Sequence, residues 1–224
     1  MIFLNPSYQN PTGYLMNAQQ RKAILEISSE YGIPVVEDDP YSLTSFNGEK
    51  IPTLKSMDVH GNVLYISSLS KIVASGLRIG WIIGPTSVIE RLADAKQQID
   101  FGHSSFTQWI ANDFMESENF QTHMKRLVKE LEKRKNQIVE SLNFYLKDEV
   151  EFTVPNGGIH LWVHIKKDHN ESQLLEESMK RGVIYVPGST MGSKKGFVRF
   201  TFAREDEQSI DEGIKRFAEA LHSL

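Results

Sequence analysis

The chain has 224 residues, 40% of them apolar and 24% charged, the make-up of a folded globular protein. Its net charge of -4 offers no general attraction to nucleic acid, and no apolar run reaches the ~20 residues needed to span a bilayer. It has no cysteine, which excludes disulfides, thiolate catalysis and cysteine metal sites; with no basic-then-apolar leader in view, the default expectation is a cytoplasmic protein.

Ile2 to Leu4 reads as a short strand ended by Pro6. An apolar opening with no polar lead-in suggests a strand inside a sheet and further residues upstream. Asn10-Pro11-Thr12-Gly13 is a turn, because Asn, Pro and Gly each supply turn chemistry. Asn17 is the expected N-cap of a helix through Tyr31, with Gly32 as its stop. Ile33 to Val36 reads as a buried strand with Glu37, Asp38 and Asp39 at its carboxyl end. Val63 to Ile66 and Ile79 to Ile83 are the next strands, and Ser87 to Ile99 a helix. Strand–helix–strand order points to an α/β sheet with crossover connections, in which ligands bind beyond the carboxyl ends of strands. Asn10, Asp38 and Lys71 all follow such ends.

Phe120 to about Leu146 reads as one long amphipathic helix carrying the chain from one domain to another. Strands are expected at 150–154, 159–165, 183–186 and 197–202, with helices at 172–181 and 205–221, which together make a small α+β unit. His160 and His164 alternate with Leu161 and Val163, so both are expected to face solvent. With His103, they offer no metal-ligand spacing.

The most informative stretch is Ser67-Ser68-Leu69-Ser70-Lys71, followed by Gly76-Leu77-Arg78-Ile79-Gly80-Trp81. A lysine at the mouth of a buried strand is expected to be withheld from bulk water, the condition under which its amine forms a Schiff base. Hydroxyls and a guanidinium beside it suit a phosphate. Taken singly, each group has an ordinary reading: the turn at 10–13 as plain turn chemistry, Asp38 and Asp39 as a cap or solvated carboxylates, Arg78 and Arg199 as surface ion-pair partners.

Together with Pro6-Ser7-Tyr8-Gln9-Asn10-Pro11-Thr12-Gly13, Glu37-Asp38-Asp39-Pro40-Tyr41, Pro155-Asn156-Gly157-Gly158 and Val198-Arg199-Phe200, this order resembles the class I and II aminotransferases, the fold type I pyridoxal-phosphate enzymes. The resemblance covers nearly the whole chain. It implies the α/β, aspartate aminotransferase-like fold: a partial large domain with a mainly parallel sheet over residues 1–118, and a C-terminal α+β small domain over 119–224 that includes the long connecting helix. The family's upstream portion, with its phosphate-binding turn and ring-stacking aromatic, has no match here, so the chain is expected to be inactive as it stands.

The resemblance also implies a role for each matching residue. Lys71 is the amine that joins pyridoxal 5'-phosphate covalently and shuttles the substrate proton. Asp38 is the partner of the ring nitrogen, preferred over Asp39 because it lies three residues before Tyr41. Asn10 and Tyr41 are donors to the phenolic oxygen. Ser68, Ser70 and Arg78 are phosphate ligands. Arg199 and Asn10 are substrate-binding residues, with Arg199 forking onto the α-carboxylate, a bidentate contact that suits arginine. Implied partners are an amino acid, a 2-oxo acid and a second copy in a homodimer. The competing reading is the aminotransferase-like, effector-sensing domain of a MocR-type regulator within the GntR group, which would add DNA as a partner through a winged-helix domain upstream.

Overall fold

Apolar β-branched runs separated by helical segments form a parallel sheet when the helices return the chain across its face. The computed structural model, which describes residues 1–224, has this arrangement in the first of two units: Met1–Tyr8 with Tyr14–Leu127. Its elements are β1 (Ile2–Leu4), α1 (Ala18–Tyr31), β2 (Val35–Asp38), α2 (Leu54–Met57), β3 (Val63–Ser68), β4 (Gly80–Ile83), α3 (Thr86–Ile99), α4 (Ser105–Glu116) and the start of α5 (Glu118–Tyr145). The sheet order is β1-β2-β3-β4. The first three strands are parallel and β4 is antiparallel to β3.

Local chemistry explains the boundaries of α1. Asn17 accepts from the Gln20 N–H, and the Gln20 side chain accepts from the Asn17 N–H, a reciprocal capping box. Gly32 ends the helix at φ +61°, the left-handed position that glycine enters without steric cost. Ile24 and Leu25 of α1 pack against Val35, Leu54 and Val63, all three fully buried.

Beneath α1 lies a buried ion pair that no sequence pattern signals. Arg21 and Glu37 are both fully buried, with Nη1 and Oε1 3.2 Å apart. Burial pushes the Glu37 carboxyl up and the Arg21 guanidinium down; opposing this, Glu37 accepts the Leu54 and Lys55 N–H groups at 2.8 Å. Arg21 also donates to Met16 O, Pro6 O and Ser7 Oγ. One guanidinium therefore ties α1, the loop after β1 and the carboxyl end of β2 together.

The second unit is Gln9–Gly13 with Val128–Leu224. It holds the rest of α5, then β5 (Val150–Phe152), β6 (His160–Ile165), α6 (Glu171–Lys180), β7 (Val186–Pro187), β8 (Phe197–Thr201) and α7 (Glu207–His222). These strands form an antiparallel sheet ordered β5-β6-β8-β7. Leu161, Val163, Ile165, Val198 and Phe200 alternate into the core. There Phe200, Phe217 of α7 and Tyr185 meet edge to face at 5.0–6.0 Å. Ile210, Ile214, Phe217 and Leu221 recur at helical spacing and bury one face of α7.

Two expectations are corrected here. Residues 105–116 form a helix where the sequence pattern assigns none; Ser104 caps it by accepting from the Thr107 N–H. His160 is buried rather than solvent-facing: β6 lies between β5 and β8, and the His160 ring nitrogen Nδ1 pairs with Thr201 Oγ1 at 3.0 Å. His164 is half-buried and stacks on Phe197.

Replacing Arg21 by Ala leaves the Glu37 charge buried without its partner. The expected cost is ~3–5 kcal/mol, read as a lower urea midpoint. Lys22→Ala removes only the exposed Lys22–Glu26 pair and should cost less than ~0.5 kcal/mol in the same assay. Asp58 supplies a pH-dependent term. Burial raises its carboxyl, but the N–H groups of Val63 and Asn62 and the Lys55 ammonium outweigh burial and hold it below the usual range. Its stabilisation is therefore fully present above the unfolded value of about 4 and is lost as pH falls through the lower folded value. Asp58→Ala should cost ~1.5–3 kcal/mol at neutral pH. Urea titrations should show that difference shrinking in acid.

Candidate active site

In the first unit the polar groups collect where β2 and β3 end. Asp38 pairs in register with Ile66, and Ser68 with Gly80. Leu69 N–H donates to Ile79 O at 3.1 Å and closes the neck of the β3–β4 hairpin. Ser68 and Ser70 flank this neck on one side and Arg78 on the other, with Lys71 in the loop between them. The hairpin thus collects all four residues. Ser68 Oγ accepts from the Ser70 N–H at 3.4 Å. Arg78 occupies left-handed backbone at φ +56°, uncommon for a residue with a side chain, and donates through Nη1 to Ser75 O. Lys71 is exposed, which corrects the expectation of a desolvated amine: β3 ends at Ser68, and Lys71 lies on the outer side of the turn whose Leu69 and Ile72 are buried.

Asp38 is half-buried. Asn5, the residue after β1, donates through Nδ2 to Asp38 O at 2.9 Å and to Oδ2 at 3.3 Å. Burial raises the Asp38 carboxyl, Asn5 lowers it and Asp39 raises it, leaving it above the ordinary value. Asp39 braces the fold. It is 1% exposed, accepts from Ser42 N–H and Tyr65 OH, and its backbone bonds Ile66 O and Ser67 Oγ. Tyr41 is buried, and its carbonyl accepts from Thr44.

In the second unit, Arg199 of β8 donates from Nη1 to Asn10 Oδ1 at 2.8 Å. The Arg199 Nε is buried and has no partner within the chain. Asn10 is held by a loop with its own bracing. Gln9 donates to Asn10 O at 2.7 Å and accepts from Thr12, and Gly13 N–H returns to Gln9 O. The Asn10–Pro11 peptide is cis. Gly13 stands at φ +69°, which strains any residue with a side chain, and an added Cβ would lie a tight 3.2 Å from Pro155. The Asn10–Arg199 pair joins positions 189 apart in sequence, and no local pattern signals it. The same holds for Asn5, which no motif singles out.

These residues are chemically suited to pyridoxal phosphate. The hairpin supplies hydroxyls, a guanidinium and an accessible primary amine. Asp38 offers a carboxylate that accepts from a single side chain. In the second unit by itself, the unpartnered Arg199 Nε is a further donor. No cluster of histidine, aspartate or glutamate could hold a metal ion, and no helix is long and apolar enough to cross a membrane.

Comparison with known proteins identifies the family and the fold. The family model for aminotransferase class I and II matches residues 1–217. An HTH-type transcriptional regulator of Bacillus subtilis, YisV, is 36% identical across 100% of this chain and 46% of its own length. Aromatic-amino-acid aminotransferase 1 of Thermococcus litoralis is 34% identical across 99% of this chain and 54% of its own. Among solved structures, Pyrococcus horikoshii kynurenine aminotransferase superposes with a TM-score of 0.93 at 35% identity, over 99% of this chain and 55% of that one. The fold is thus that of the fold type I aminotransferases, and the chain spans about half the length of the relatives it matches. The chain belongs to the aminotransferase class I and II family.

Proposed function

We propose that the protein is a pyridoxal-phosphate-dependent aminotransferase, moving an amino group between an amino acid and a 2-oxo acid. The observation that carries this reading is the β3–β4 hairpin, which gathers Ser68, Ser70, Lys71 and Arg78 beside the β2 end that bears Asp38. Bound cofactor supplies an electron-accepting ring. The chain's own residues do the rest. Lys71 Nζ would be the amine that joins the aldehyde, and the same nitrogen would take and return the proton at the substrate α-carbon. Asp38 would be the negatively charged partner that keeps the ring nitrogen protonated. Asn10 and Tyr41 would serve as donors to the phenolic oxygen, and Ser68, Ser70 and Arg78 would hold the phosphate. Arg199 forks onto the substrate carboxylate, with Asn10 fixing its Nη1 and leaving Nε for the ligand. A homodimer and a cytoplasmic location, in keeping with the absence of cysteine, complete the reading.

A second reading is favoured by the HTH-type regulators among the relatives, at 33–36% identity. In it the same pocket senses an effector, and DNA is bound by a separate winged-helix domain. Turnover of an amino acid would separate the two readings.

Borohydride treatment of the protein loaded with pyridoxal phosphate should modify Lys71, and Lys71→Ala should abolish labelling. Because Lys71 is exposed, the same change should leave stability within ~0.5 kcal/mol. Peptide mapping that finds Lys71 unmodified would reject its assignment. Arg199→Lys should raise KM for amino acids about tenfold, since a point charge replaces a fork; an unchanged KM would reject carboxylate recognition there.

A further inference from the structure

Asn5 is half-buried between the end of β1 and the end of β2 and uses one amide nitrogen twice: Nδ2 donates to Asp38 O and to Asp38 Oδ2. Its other polar atom, Oδ1, is buried and has no partner. Flipping the carboxamide does not help, because it would set Oδ1 against two oxygens of Asp38. The orientation of Asn5 is therefore dictated by Asp38, and the orphaned acceptor is the cost of that orientation.

We propose that Asn5 is the positioning residue for Asp38, holding its carboxylate in one orientation for the ring nitrogen of bound pyridoxal phosphate; this rests on the role proposed for Asp38 above. The charges around Asp38 make the contribution of Asn5 legible. Asp39, next in the chain, opposes ionisation of Asp38, while Tyr65 of β3 donates to Asp39. Glu37 is paired with Arg21 of α1. β1 carries no charged side chain, so from that side Asn5 alone favours the ionised form.

The test measures cofactor affinity as a function of pH, by fluorescence titration, for the protein and for Asn5→Ala, Asn5→Asp and Asp38→Asn. Affinity should fall on the acid side as Asp38 takes up a proton, and Asp38→Asn should remove that fall. Asn5→Ala should weaken affinity about tenfold and move the acid fall upward by about one pH unit, the shift expected when a donor to a charged group is lost. Asn5→Asp has nearly the same shape but sets a second carboxylate against Asp38, and should move the fall further in the same direction. It also keeps the test open if the alanine variant does not fold. An acid fall unmoved in both Asn5 variants, yet absent in Asp38→Asn, would overturn the inference and leave Asn5 a structural residue. Affinity and acid fall retained in Asp38→Asn would overturn the reading of Asp38 itself, and the inference with it.

Discussion

The architecture of the first unit depends on the Arg21–Glu37 pair. Two charges removed from water carry a penalty of several kcal/mol each, and only excellent geometry with further hydrogen bonds offsets it. Both conditions are met. Glu37 takes the guanidinium and two backbone N–H groups, while Arg21 saturates two backbone carbonyls and the Ser7 hydroxyl. The groups so tied are the start of α1, the loop leaving β1 and the stretch of chain just before Asp38. An apolar pair of equal volume could fill the space, but it would leave the Leu54 and Lys55 N–H groups without the carboxylate that accepts them. The pair thus sets direction where a hydrophobic contact would set only proximity.

Directional fixing recurs at three of the groups to which we assign chemistry. Asp38 is oriented by Asn5, Arg199 by Asn10, and Asn10 by the Gln9 clamp. Two residues with side chains, Tyr8 and Arg78, sit in left-handed backbone close in sequence to these groups, at φ +53° and +56°. Such positions cost of order 1 kcal/mol and persist where surrounding contacts over-determine them. Tyr8 is 2% exposed, so its conformation is enforced by packing on every side.

Most of the fold can be read from the chain because its signals are local. Val35–Asp38 and Val63–Ser68 announce themselves by apolar runs, α1 by Asn17 and Gly32, and α7 by its recurring buried face. Residues 105–116 escape such a reading because Phe106, Trp109 and Ile110 are exposed while Ala111 and Phe114 meet the Leu69–Ile72 core, so the apolar residues mark no single face and the Ser104 cap is the clearest local signal. His160 misleads because alternation identifies two faces but not which of them is covered. Lys71, Asp38, Asn10 and Arg199 are legible in motif order, whereas the hydrogen bonds that orient Asp38 and Arg199 are not. Asn5 lies 33 positions from Asp38, and Asn10 lies 189 from Arg199; contacts at that range leave no periodicity to read. Buried polar pairs of this kind are chosen by tertiary geometry, after the pattern of apolar residues has already decided the fold.

The short segment Gln9–Gly13 belongs with the C-terminal unit although it lies more than a hundred residues ahead of the rest of it. A recombinant product beginning at residue 128 would hold both edges of the second sheet and all of its aromatic cluster, and would look complete by most criteria of domain dissection. It would nonetheless lack Asn10, leaving the Arg199 side chain free to swing and the Pro155 surface bare. Faithful excision of that unit calls for a circular permutation or a grafted loop rather than a simple cut.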